Sequence, residues 1–171
     1  MGRETGIGGV SALHEVGCTA TVREIVEADN GQYDLVTVGT DRFKLRQLVE
    51  ARPYLSAEVE MLGELLGDEA TAALAAAAVQ RGFRAYLNVL ADRGSATINV
   101  PDLPDEPILL SYLVAASMII ELNDRQGLLA QPDAVRRLSA ERALLARETA
   151  IIRELGTPPA TDLRSTPYNP N

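Results

Sequence analysis

The chain has 171 residues, 46% apolar and 23% charged, with a formal net charge of −8. That length can bury a core without disulfide or metal staples, and the acidic balance speaks against nucleic acid, whose phosphates require a basic face. No apolar run approaches the roughly 20 residues of a membrane span.

Residues 1–15 are glycine-rich and aperiodic, which predicts a flexible lead-in. The opening Met1-Gly2-Arg3-Glu4-Thr5-Gly6 has neither the apolar stretch of a signal peptide nor a myristoylation pattern. Cys18 to Val26 mixes β-branched and polar residues as a half-buried strand does. Asp29-Asn30-Gly31 then supplies the φ > 0 of a hairpin, with Tyr33–Val38 as the partner strand. Gly39-Thr40-Asp41 reads as another turn. A third strand places Phe43, Leu45, Gln47 and Val49 on one face and Arg42, Lys44 and Arg46 on the other. A fourth alternates Leu55, Ala57, Val59 and Met61 against Ser56, Glu58 and Glu60. The expectation is an antiparallel meander with one wet face, its basic strand beside its acidic one.

From Gly67 the period becomes helical. Asp68 is an N-cap, an alanine-rich stretch follows, and Val79, Phe83, Tyr86, Leu87 and Leu90 mark one face up to Gly94. Pro101, Pro104 and Pro107 predict an extended connector over 95–109, in which Ile98 and Val100 allow a short strand at 96–100. Ser111 reads as the cap of a helix over Tyr112–Leu122, apolar almost all round and so expected at the centre of a helical lobe. Asp124 starts a short helix, and Pro132 fits the first turn of a last one, with Val135, Leu138, Leu144, Leu145, Ile151, Ile152 and Leu155 inward and Gly156 at its end. The proline-rich stretch 157–171 predicts disorder. The domain expectation is therefore a lead-in at 1–15, a β-rich lobe at 16–66, a helical lobe at 67–156 and a tail at 157–171.

Catalytic chemistry finds little material. Lys44 is the only lysine, beside fifteen arginines, and lies on the polar face of a strand, which leaves no buried amine for Ser–Lys catalysis. His14 and Cys18 are each the only residue of their kind. They cannot build a zinc site without carboxylates, and Cys18 reads as a small buried strand residue. A lone cysteine also forms no internal disulfide, as suits a reducing cytoplasm. Gly6-Ile7-Gly8-Gly9 lacks the Gly-Lys-Ser/Thr of a phosphate loop. No enzyme activity, cofactor or metal is predicted.

The order and spacing of four β-lobe segments carry a resemblance. They are Val16-Gly17-Cys18-Thr19-Ala20-Thr21-Val22, Asp29-Asn30-Gly31, Gly39-Thr40-Asp41-Arg42-Phe43-Lys44-Leu45 and Pro53-Tyr54-Leu55-Ser56-Ala57-Glu58-Val59. Asp124-Arg125-Gln126-Gly127-Leu128-Leu129 and Arg136-Arg137-Leu138 follow in the helical block. Over about residues 16–155 the chain resembles the N-terminal substrate-binding domain of Lon proteases. The resemblance implies an α+β fold, in which an antiparallel PUA-like small barrel or meander precedes a helical bundle. It implies protein binding without the ATPase and peptidase domains, as in stand-alone bacterial LON-domain proteins. Family members begin with a further strand, so this chain looks truncated at its N-terminus. An edge left open in that way predicts homodimerisation or aggregation.

The functional expectation is a non-catalytic module that captures unfolded or peptide segments of other proteins, with no nucleic-acid or membrane partner. Tyr33, Arg42, Arg46, Tyr54, Tyr86 and Tyr112 are its candidate contacts, because tyrosine and arginine are common interface anchors. The competing classes are a small-molecule-binding PUA-like domain and a hydrolase. The hydrolase requires a Ser–Lys pair or an ATP site that cannot be assigned.

Overall fold

Residues 13–27, 31–49, 54–93 and 102–155 are described by a computed structural model. Asp29, Asn30, Pro53, Gly94 and Gly156, the stretch 96–100 and the tail 157–171 lie outside the described residues. The chain divides into two units, Met1–Gly63 and Glu64–Asn171. Each is taken by itself.

In the first unit, β1 (Val16–Glu27), β2 (Tyr33–Val49) and β3 (Ser56–Met61) form an antiparallel sheet in the order β1-β2-β3. Gly31 takes φ 78°, the left-handed backbone that the hairpin between β1 and β2 needs. Three strands stand where four were expected, because Gly39-Thr40-Asp41 does not turn the chain. Cys18 pairs with Arg42 and Ala20 with Gly39, so Thr19 alone faces Thr40 and Asp41. That two-against-one register is a β-bulge, which uses the same small polar residues that favour turns. Thr19 Oγ1 fastens it: it accepts from Asp41 N at 3.0 Å and lies 2.7 Å from Thr40 Oγ1.

Further shifts lie between Val22 and Glu24 and between Leu45 and Gln47. After the Thr40–Asp41 bulge the alternation is reset. Arg42 takes the buried position, 3% exposed, while Phe43 is only half-buried. Gly17 faces Phe43, and a Cβ at Gly17 would lie 2.4 Å from the ring's Cζ, so the ring covers the glycine. The basic strand does sit beside the acidic one. Lys44 pairs with Glu60 in register, and Arg46 makes an ion pair with Glu60. Lys44 Nζ also meets Glu15 at 2.6 Å, which holds the Glu15 carboxyl below the usual carboxylate range.

In the second unit, α1 (Glu69–Arg93), α2 (Pro107–Ser117), α3 (Leu122–Leu129) and α4 (Ala134–Leu155) surround one core. Asp68 caps α1 as its sequence predicts, accepting from Thr71 N at 2.8 Å. Leu65 and Leu66 belong to this unit, since their carbonyls accept from Ala134 N and Val135 N at 2.9 and 3.2 Å. The second helix differs from expectation. Pro107 is its first residue rather than a block, because the missing N–H costs nothing there. Glu106 is the cap, its carboxylate accepting from Ile108 N and Leu109 N. Ser111 is therefore interior to α2, and the helix ends at Ser117 rather than Leu122. Nor is α2 buried all round: Leu110, Ser111 and Val114 are buried, but Leu109 is exposed. Val79, Phe83, Tyr86, Leu138, Leu145 and Ile152 occupy the core at the positions their periodicity predicts.

Candidate functional site

The hairpin end of β1 and β2 carries an unusual surface. Residues directly opposite in an antiparallel pair project to the same side. Val22 faces Thr37, Ile25 faces Leu35 and Glu27 faces Tyr33, which sets Val22, Ile25, Leu35 and Tyr33 on one side of the ribbon. These four side chains are 47–61% exposed. The other side carries Val26, Val36 and Val38, also exposed. The expected single wet face is thus replaced by apolar residues in water on both faces. Exposed Leu55, Val59 and Met61 extend the pattern to β3 and the residue before it. A contiguous apolar surface of this kind marks a contact site more often than a solvated face. Among the described residues, β1 and β3 each have a strand neighbour on one side only. An extended peptide can therefore add to a ladder as well as cover apolar side chains.

The helical unit holds three ionisable side chains inside, Arg137, Glu141 and Glu148. Arg137 is fully buried on α4. Its guanidinium donates to Leu128 O at 3.2 Å, Ser111 Oγ at 3.0 Å and Tyr112 OH at 3.0 Å. It also stands 4.0 Å from the Tyr112 ring centroid. Tyr112 OH donates to Glu64 Oε1 at 2.7 Å. This network ties α2, α3, α4 and the segment before α1 together.

One turn along α4, Glu141 is fully buried and neither of its carboxylate oxygens has a hydrogen-bond partner. Burial pushes its pKa up to about 9, against the opposing pull of Arg137. It is a neutral acid at pH 7. Glu148 is buried too, with Oε1 accepting from Arg147 Nε at 2.7 Å. Arg147 reaches Asp124 on α3 with its other end. These contacts cross-link the helices at the edge of the core, and no group of three or more metal-ligating side chains stands together among the described residues.

The six residues expected to contact a peptide separate accordingly. Tyr33 lies in the apolar ribbon, and Tyr54 and Arg46 are exposed in the same unit. Arg42 is buried by the bulge, so it is withdrawn from the surface. Tyr86 is withdrawn as well: it packs in the core, its hydroxyl accepting from Ile119 N at 3.0 Å, and burial raises its phenol pKa. Tyr112 is half-buried and engaged by Arg137 and Glu64. Cys18 departs from expectation in the other sense, being exposed. Val22, Ile25 and Leu35 fall in the two strands read from the sequence, but none was singled out as a contact. Their surface role has no signature in the sequence.

Comparison with known proteins agrees with this architecture. Residues 2–147 match the family described as the ATP-dependent protease La (LON) substrate-binding domain. The chain is 32% identical over 140 residues to Lon protease 4 of Sorangium cellulosum, covering 81% of this chain and 17% of that protein. It is 25% identical over 146 residues to the Lon protease of Anaeromyxobacter dehalogenans, covering 85% of this chain and again 17% of the relative. The chain thus corresponds to about a sixth of the length of these proteases. Among solved structures, it is similar to the N-terminal domain of the Mycobacterium avium complex Lon protease. That likeness has a TM-score of 0.56 and 16% identity, over 77% of this chain and 70% of that one. A Lon N-terminal domain protein from Xanthomonas campestris gives a TM-score of 0.50 at 20% identity, over 78% of this chain and 68% of that one. Only the substrate-binding domain of Lon is matched, not its ATPase or protease domains. The chain belongs to the LON substrate-binding domain family.

Proposed function

We propose that this chain is a non-catalytic module that holds extended apolar segments of unfolded proteins on its β-ribbon. The observation that carries the reading is the set of half-exposed Val22, Ile25, Tyr33 and Leu35 on one side of the hairpin. Tyr33 supplies the aromatic anchor, while Arg46 and Tyr54 are further exposed contacts of the same unit. Membership in a family described by substrate binding supports the same conclusion. A contact of this size, below about 1,200 Å², is weak and reversible, as suits capture and release. The same open strand edges accept a second copy of the chain, so homodimerisation competes with capture. A reducing cytoplasm is the setting proposed for it, in line with an exposed cysteine that has no disulfide partner.

Fluorescence anisotropy of a labelled, permanently unfolded protein, titrated with this chain against a folded control, tests the proposal. Saturable binding to the unfolded probe alone is the expected result. Equal binding to both probes, or to neither at high micromolar concentration of folded chain, overturns it.

A further inference from the structure

A second surface lies in the helical unit and stands apart from the ribbon reading. The N-terminal halves of α1 and α4 leave a groove of about 500 Å³ between them. Its floor and walls are apolar and small, with Leu74, Ala75, Ala78 and Val135 among them. Leu74 is 75% exposed, the most exposed large apolar side chain among the described residues. It lies in the second turn of α1, where most of its surface is left uncovered.

The rim of this groove is cationic. Arg136 and Arg142 both line it, six residues apart on α4 and therefore about 9 Å along its axis. Neither side chain makes an ion pair among the described residues. That contrasts with Arg46, Arg137 and Arg147, each of which meets a carboxylate. In a chain of net charge −8, this groove is lined by two arginines and no carboxylate, with Asp133 accepting from Arg136 N at 2.7 Å at its end.

We infer that this groove docks an acidic amphipathic helix of another protein. Its apolar residues pack over Leu74 and the alanines, as a helix lies in the groove of two others. Its carboxylates, about two turns apart, meet Arg136 and Arg142. The charge selects the partner, and the apolar contact supplies most of the affinity.

The experiment uses the full chain and a labelled designed amphipathic helix with glutamates two turns apart. A second helix carries lysines in their place. Micromolar binding of the glutamate helix is expected, weakened by about tenfold in an R136E/R142E chain and by added salt. The lysine helix is expected to bind the reversed chain better than the original. Leu74→Lys tests the apolar part and should also abolish binding while the helical circular dichroism is retained. Unchanged binding of the glutamate helix to folded R136E/R142E overturns the inference, as does a failure of the original chain to bind it. So does a concentration-dependent self-association that the reversal abolishes, since the groove then serves a second copy. Because the unfolded-protein titration reads the other unit, its outcome stands or falls separately.

Discussion

The two units of this chain place their apolar residues in opposite ways. Among the described residues, every buried hydrophobic side chain belongs to the helical unit, from Ala72 to Ile152. The only buried side chain of the sheet is an arginine, Arg42. The helical unit is held by packing, with charged cross-links set inside it. The sheet is held by its ladders, its bulges and pairs such as Gly17 with Phe43. Side chains that would build a core elsewhere are left exposed. Density of packing thus separates the unit that holds a core from the sheet proposed to capture unfolded segments.

The largest expected effect lies in the helical unit. Arg137→Ala leaves Ser111, Tyr112, Glu64 and the Leu128 carbonyl without their shared donor. It should cost about 3–5 kcal/mol, read as a fall in the urea midpoint of the helical ellipticity. A cost below about 1 kcal/mol would mean that the internal cross-links do not hold this unit together.

Next is Glu141, whose neutral form the core requires. Its folded pKa, about 9, lies above the ordinary value of 4.5. The stability it contributes is therefore fully present below pH 4.5 and is lost as the pH rises toward 9. Glu141→Leu should flatten that profile and add on the order of 3 kcal/mol at pH 7, with the advantage shrinking toward pH 4. Urea unfolding across this range checks it, and an unchanged slope would refute it. The smallest effect belongs to the sheet. Gly17→Ala forces the Phe43 ring to swing away and should cost about 1 kcal/mol. Phe43→Leu in the same chain should recover part of that loss.

Much of the helical unit was legible in the sequence. Asp68 and the recurrence of Val79, Phe83 and Tyr86 define α1, because capping chemistry and a period of 3.6 are local signals. Pro107 was read as a breaker, although proline favours the first position of a helix once Glu106 caps it. The Gly39-Thr40-Asp41 bulge was read as a turn for a similar reason: the same residues serve both geometries, and only the partner strand decides. The mix of β-branched and polar residues identified the ribbon as strand but does not state which faces are covered, so the exposure of Ile25 and Leu35 could not be read from it. Arg137, Glu141 and Glu148 sit on the inward stripe of α4 with Leu138, Leu145 and Ile152. A charged residue on an apolar stripe was the available signal for the internal network. The Arg136 and Arg142 rim has no such signal, because its meaning depends on which residues of α1 and α4 line the groove together.

The titration of a labelled unfolded protein with an Ile25→Thr/Leu35→Thr chain tests the central claim most directly. Threonine suits a strand by its β-branching while removing apolar surface at the two paired, exposed positions. Stability should change by less than about 0.5 kcal/mol per site, since neither side chain is buried. The account predicts that the folded variant binds the probe at least about tenfold more weakly, a loss near 1.4 kcal/mol. Unaltered affinity in a variant with unaltered circular dichroism would contradict it, and would move substrate capture away from the sheet.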